Sequence, residues 1–212
     1  LLQQIGKPGQ APNSNDSTHF GRVAKISFDV KAQEAYVADG YGNKRVAVFD
    51  KEGRFLRQWG GKATPAETEA GAPGLFSNVV HCIALSNAGL VYVCDRQGDR
   101  IQVFDKTGKF VRNIWIRTGT PTLPDTRGTA WWVAFSRDAA QEHMYVMNGR
   151  NETVHVIEHE TGKILGTFGR PGHQPGSFTH GHTLALDSMG NLYVAETDTG
   201  RRVQRFKPVM GK

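Results

Sequence analysis

His81 and His182 stand at the same place in two stretches that otherwise match, VVHCIALS and HGHTLALD. An imidazole can ligate a metal, move a proton near neutral pH or simply bond to backbone groups, so a recurring pair is the first chemistry to consider. His180, two residues before His182, is a neighbour of that pair or a rival ligand. His19, His143, His155, His159 and His173 fall in loops or on another strand of the repeat and read as solvated. Trp131 and Trp132 hold the corresponding place in a third stretch. One ring is expected between sheets and the other at the mouth of a channel, with stacking on a ligand as the alternative.

A repeat must position these residues. FSNVVHCIALSNAGLVYVCDRQGDRIQVF, at 76–104, reads as three short strands with tight turns, and it recurs with drift at 20–49, 131–157 and 178–206. RVAVF, RIQVF and VHVIE alternate with the period of two expected for strands, and Asp50-Lys51-Glu52-Gly53 and Asp105-Lys106-Thr107-Gly108 fit short hairpin connections. The last copy supplies TLALD, LYVAE and RVQRF, and the chain stops before a fourth strand. Asp39, Asp95, Asn148 and Glu196 share one repeat position, at steps of 56, 53 and 48 residues. Units of about fifty residues with four strands each are propeller blades. Arg45, Arg100 and Arg202 follow the shared position, with Thr153 in the third copy, and an arginine facing a carboxylate there would brace the turn.

The expected fold class is therefore all-β, a β-propeller in a single domain over 1–212. Its four-stranded blades lie at about 20–60, 76–115, 130–169 and 178–208, the last cut short. A blade cannot bury both faces alone, so neighbours stack around an axis. Four blades could close a small ring, with residues 1–5 as the missing outer strand. An open arc from six blades is the alternative, and a start inside a strand favours the arc. The chain then reads as a piece of a longer protein.

With 26 basic and 20 acidic side chains the formal charge is +6, which permits anionic partners without requiring them. Twenty-five glycines and nine prolines, evenly spread, suit a turn-rich β protein rather than a disordered one. No apolar run approaches membrane-spanning length. If Ser86 to Gly89 is the hairpin turn, Cys82 opposes Val93 and His81 opposes Cys94. The two cysteines then face opposite sides of the sheet, and no bond between them is expected. Cys94 could be a thiolate ligand beside His81, but a small buried core residue is the simpler role.

LVYVCDRQGDRIQVFDKTGKF, echoed by EAYVADGYGNKRVAVFDKEGRF, resembles the NHL repeat, whose propellers usually have six blades. More narrowly, GKPGQAPNSNDSTHF, VADGYGNKR, VVHCIALS, CDRQGDRIQVF and FTHGHTLALDSMGNLYVAET resemble the peptidyl-α-hydroxyglycine α-amidating lyase family, over nearly the whole chain. That family splits a hydroxyglycine-extended peptide into an amide and glyoxylate, with a zinc on the propeller axis held by three histidines from alternating blades. The resemblance implies His81 and His182 as metal ligands, and Tyr41 and Arg96 as catalytic residues. Its implied activity is zinc-dependent cleavage of peptidyl-α-hydroxyglycine-type carbinolamides.

The alternation agrees with that geometry. It aligns Ala24, His81, Trp131 and His182 at one inner position, so histidines on alternate blades of a six-bladed ring would be related by a threefold axis. Three imidazoles with a fourth position open are what a catalytic zinc requires. The third would lie two blades before His81, upstream of this chain. Zinc would then activate the substrate hydroxyl, Tyr41 would take its proton, and Arg96 would favour the phenolate or grip the substrate's carboxylate. Thr183 stands where the family often has an acidic residue linked to calcium, so the resemblance does not extend to calcium. Gly42 stands where vertebrate members have a disulfide cysteine, and His180 replaces another residue near the substrate.

The alternative is a non-catalytic NHL propeller that binds RNA or protein partners, since basic residues such as Arg54, Arg57, Lys109, Arg205 and Lys207 lie on outer strands. Outer edges also carry Lys and Arg to block sheet-to-sheet association, and no aromatics interleave with these charges. Lyases of this kind are commonly secreted, which points to a secreted or periplasmic setting.

Overall fold

The computed structural model describes residues 3–8, 13–117 and 127–209. The chain forms two compact units, Leu1–Ile114 and Trp115–Lys212. In the first unit, β1 (Lys25–Asp29), β2 (Glu34–Asp39), β3 (Arg45–Asp50) and β4 (Phe55–Trp59) make one antiparallel sheet in chain order. A short helix, α1 (Pro65–Glu69), leads to a second sheet of β5 (Val80–Leu85), β6 (Val91–Asp95), β7 (Arg100–Phe104) and β8 (Phe110–Trp115). The second unit contains β9 (Ala130–Phe135), β10 (His143–Asn148), β11 (Thr153–Glu158) and β12 (Ile164–Phe168). It ends in a three-stranded sheet of β13 (Gly181–Leu186), β14 (Leu192–Glu196) and β15 (Val203–Phe206). The fold class is all-β, and each meander is the blade of a β-propeller.

Turn chemistry explains the regular spacing. Asp50 Oδ1 accepts the Glu52 and Arg54 backbone N–H groups, and Gly53 takes φ 77°, a left-handed conformation that favours glycine. Asp105 and Gly108 repeat the arrangement between β7 and β8.

Apolar faces then meet between blades. In the first unit β1 and β2 lie against β5, and Tyr36, Val46, Phe76, Ile83, Val93 and Phe104 are buried together. In the second, β9 and β10 lie against β13, with Trp131, Met147, Phe178, Leu184 and Val194 in the core.

The shared repeat position is a strut, as its spacing suggested. Arg45 Nε donates to Asp39 at 2.9 Å, Arg100 Nε to Asp95 at 2.9 Å and Arg202 Nε to Glu196 at 2.6 Å. The free ends of these guanidinium groups donate to carbonyls of the preceding connection, Leu75 for Arg100 and Ser177 for Arg202. Each strut therefore ties a blade to the segment that enters it. Gln102 and Gln204 add a second donor to Asp95 and Glu196.

The third blade corrects one expectation. His155 occupies the place of Gln102 and Gln204, and it is buried rather than solvated. It bonds to Asn148 at 3.0 Å and to Thr167 at 2.8 Å, so a neutral pair replaces the charged one. His159 is buried as well, with its ring centroid 4.8 Å from that of Phe135.

Two more expectations are corrected. Gln3 to Ile5 form no strand: Ile5 lies with Phe20 against Val37, Ala47 and Phe49 of the first blade, and Gln3 donates to the Lys51 carbonyl. Leu1 and Leu2, the rest of that expected strand, lie outside the described residues. Cys82 pairs with Cys94, not Val93, and the two form a disulfide with Cα atoms 4.8 Å apart. The physical reason is the turn: Ser86 pairs with Leu90 around a three-residue loop, which shifts the register by one residue.

Among the described residues no helix is long and apolar enough to cross a membrane.

Candidate active site

Both lead histidines occupy a β-bulge. In the β5–β6 ladder Val80 opposes Asp95 and Cys82 opposes Cys94, so His81 is the extra residue. In the β13–β14 ladder Gly181 opposes Glu196 and Thr183 opposes Ala195, which leaves His182 extra. Trp131 has the same relation to Ala130 and Trp132 in the third blade. A bulge re-aims one side chain while the ladder continues on either side, and the shared carboxylate or amide position pins it in each blade.

In the first unit His81 is 2 % exposed, and the Tyr41 ring meets it edge-on, centroids 5.9 Å apart. Tyr41 sits in the turn between β2 and β3, and backbone contact fixes that turn. A Cβ on Gly40 would fall 2.0 Å from the Val80 carbonyl oxygen, and one on Gly42 would fall 2.5 Å from that of Gly21. Only residues without side chains allow the turn to press against the start of β5, beside His81. The Tyr41 N–H donates to the Arg22 carbonyl at 3.3 Å.

Arg96 also reaches the Tyr41 ring. It opens a 3₁₀ turn after β6, where its N–H donates to the Val79 carbonyl at 3.0 Å. Its guanidinium carbon lies 5.9 Å from the Tyr41 ring centroid. Burial pushes Arg96 down from its ordinary value, while the hydrogen bond and charge of Tyr41 work the other way. Three of the residues singled out in the sequence thus share one place: a buried imidazole, a half-open phenol and a partly desolvated cation. Such a set can bind a small polar ligand, move a proton at the phenol oxygen and hold the resulting negative charge.

In the second unit His182 is half-buried between two indoles. Its centroid lies 5.5 Å from Trp131, edge-on, and 6.3 Å from Trp132. Trp131 is a core ring whose Nε1 donates to the Gly128 carbonyl, and a Cβ on Gly149 would fall 2.3 Å from it. His180 has φ 55°, and its Nδ1 is buried without a hydrogen-bond partner. Sequence reasoning missed Glu152, whose buried carboxylate accepts the N–H groups of His180 at 3.0 Å and Gly181 at 2.9 Å. It braces the chain just before the His182 bulge. Nothing in the spacing marks it, because its partners are backbone groups twenty-eight and twenty-nine residues away.

The donor chemistry suits zinc, which takes neutral imidazoles. The count is one short: among the described residues no group of three His, Cys, Asp or Glu could hold a metal. His81 lies in the first unit and His182 in the second.

No protein-family model matches the chain. Curated relatives do. Peptidyl-glycine alpha-amidating monooxygenase B of Xenopus laevis is 35 % identical over 216 residues, which cover 98 % of this chain and 22 % of that protein. Its A counterpart is 33 % identical over 217 residues, covering 98 % and 21 %. A probable peptidyl-alpha-hydroxyglycine alpha-amidating lyase of Caenorhabditis elegans is 27 % identical over 191 residues, covering 88 % and 49 %. The chain thus spans between about a fifth and a half of the length of these relatives. Among solved structures, a streptogramin B lyase superposes with a TM-score of 0.56 at 11 % identity, over 88 % of this chain and 54 % of that one. A propeller domain of Cps50 (Swd1) superposes at 0.54 and 14 % identity, over 88 % and 54 %. These two likenesses bear on the fold alone. By sequence, the chain is homologous to the amidating proteins, and it resembles the peptidyl-α-hydroxyglycine α-amidating lyase family.

Proposed function

We propose that this chain is part of a lyase that cleaves peptidyl-α-hydroxyglycine to a peptide amide and glyoxylate. The observation that carries the reading is the meeting of Tyr41, His81 and Arg96, with Tyr41 at 5.9 Å from each of the other two. All three lie in stretches matched by the amidating relatives.

The family resemblance makes His81 and His182 each a proposed zinc ligand. When bound, zinc supplies Lewis acidity at the substrate's α-hydroxyl. The chain's own residues do the rest. Tyr41 Oη takes the hydroxyl proton, the C–O bond becomes the aldehyde of glyoxylate, and the C–N bond breaks. The electron pair of that bond goes to nitrogen, which takes the proton back from the Tyr41 hydroxyl to give the amide and regenerate the base. Arg96 favours the phenolate form of Tyr41 that accepts the proton, and its fork can pair with the substrate's carboxylate. Burial of His81 and partial burial of Arg96 reduce the screening of these charges by water. The Cys82–Cys94 bond beside His81 favours an oxidising compartment, in keeping with a secreted or periplasmic protein.

The test is direct. The full-length protein, incubated with a synthetic peptidyl-α-hydroxyglycine, should release amide and glyoxylate in equal amounts and carry about one zinc per chain. Absence of amide from zinc-loaded, folded protein would overturn the reading.

A further inference from the structure

A cleft of about 830 Å³ adjoins the Tyr41–Arg96 pair within the first unit. Gly42, next to Tyr41, and Gln97, next to Arg96, both line it. One wall is the turn between β2 and β3, with Lys44. Another is the segment leading through α1, with Lys62 and Ala63, and the third is the approach to β5, with Ser77 and Asn78. The volume lies in the range of small-ligand sites.

Its electrostatics are one-sided. Lys44 Nζ donates to the carbonyls of Gly40 at 3.1 Å and Asn43 at 3.2 Å, which holds the ammonium over the turn that carries Tyr41. Burial and the charge of Lys62 push Lys44 below its ordinary range, so the two ammonium groups feel each other. The nearby carboxylates of Asp39 and Asp95 are already paired with Arg45 and Arg100. The hydrogen bonds of the Lys44 ammonium go to carbonyls, and Glu69 is the acid among the residues that line the cleft. Two cations that feel each other, one of them partly desolvated, with the side-chain amides of Asn78 and Gln97 in the walls, suit a carboxylate.

We propose that the Lys44–Lys62 cleft is a subsite for an acidic side chain of the substrate, so that the protein prefers peptides with Asp or Glu shortly before the reacting hydroxyglycine. The inference rests on the reading of the substrate as a peptide. A residue of extended chain advances about 3.3 Å, so a cleft adjoining Tyr41 is within reach of the few residues before the reacting one.

The experiment uses the full-length protein and peptides carrying Glu, Gln or Lys at each of the three positions before hydroxyglycine. At one position kcat/KM for Glu should exceed that for Gln by about fivefold, and Lys should fall below both. The preference should shrink as salt is raised. In Lys44→Gln/Lys62→Gln the Glu-to-Gln ratio should fall to about one, and Lys62→Gln alone, at an exposed position, should lower it part of the way without a folding risk. Fluorescence anisotropy with the unreactive Glu and Gln peptide amides reads the same discrimination without turnover. Turnover with equal rates and equal binding for Glu and Gln peptides would overturn the subsite and leave the lyase reading standing. Lysine-dependent retention of the Glu amide without any turnover would support the subsite and remove the lyase reading.

Discussion

Tyr41 presents its ring edge to His81, with centroids 5.9 Å apart and planes inclined at 72°. The two residues come from different blades, and the contact exists because the glycine-flanked turn of one blade presses on the first residue of β5 in the next. Whatever His81 binds, Tyr41 borders it, and Arg96 borders Tyr41 in turn.

The first prediction separates binding from proton transfer. Tyr41→Phe should lower kcat for amide release by about 10²- to 10⁴-fold, the usual worth of a positioned acid or base, with zinc content unchanged. His81→Ala should lose the metal as well as the activity. Glyoxylate assay paired with elemental analysis checks both, and loss of zinc in Tyr41→Phe would contradict the assignment.

Gly40→Ala tests the turn itself. Its methyl group would sit 2.0 Å from the Val80 carbonyl oxygen, where neither backbone can yield cheaply. The substitution should destabilise the fold by on the order of 2 kcal/mol and displace Tyr41. A urea titration and the chemical shifts of the tyrosine ring would register these two effects separately.

His155 should make the protein acid-labile. Burial holds its imidazole down at about 4, against 6.5 for the exposed group. Between those values the unfolded chain binds more protons than the folded one, so stability is whole above pH 6.5 and falls as the pH drops toward 4. The loss amounts to about 3 kcal/mol at full extent. His155→Gln, which restores the residue found at the same place as Gln102 and Gln204, should flatten the profile in that window. Melting temperatures taken from pH 7 to pH 4 test this, and parallel slopes for the two proteins would refute it.

Reduction of the Cys82–Cys94 bond should weaken the second blade. The bond closes a loop with a sequence separation of 12, and releasing it should cost about 3 kcal/mol through the entropy of the unfolded chain. Denaturation with and without reductant, compared with Cys82→Ser/Cys94→Ser, measures the effect. Equal midpoints under the two conditions would argue against it.

Much of the architecture was legible because it rests on local, repeating chemistry. Alternation in RVAVF and RIQVF, Asp-x-x-Gly turns, and an acidic residue followed at five or six positions by arginine each act within one blade. A one-residue change of register was not legible. The three-residue loop at Asn87 to Gly89 brought Cys82 opposite Cys94, and alternation carries no record of it. His155 was misplaced for a related reason: on an exposed strand a histidine is solvated, but here the neighbouring positions make it the counterpart of the buried Gln102 and the half-buried Gln204.

By itself the sequence determined the blades, their struts and the residue types available for chemistry, because strand period, turn composition and repeat length are properties of short segments. Only the tertiary structure decided that Tyr41, His81 and Arg96 meet, that Glu152 braces the strand bearing His182, and that two lysines border one cleft. The meeting of Tyr41 with His81 depends on backbone contact between neighbouring blades, at Gly40, where a single methyl group would press on the Val80 carbonyl.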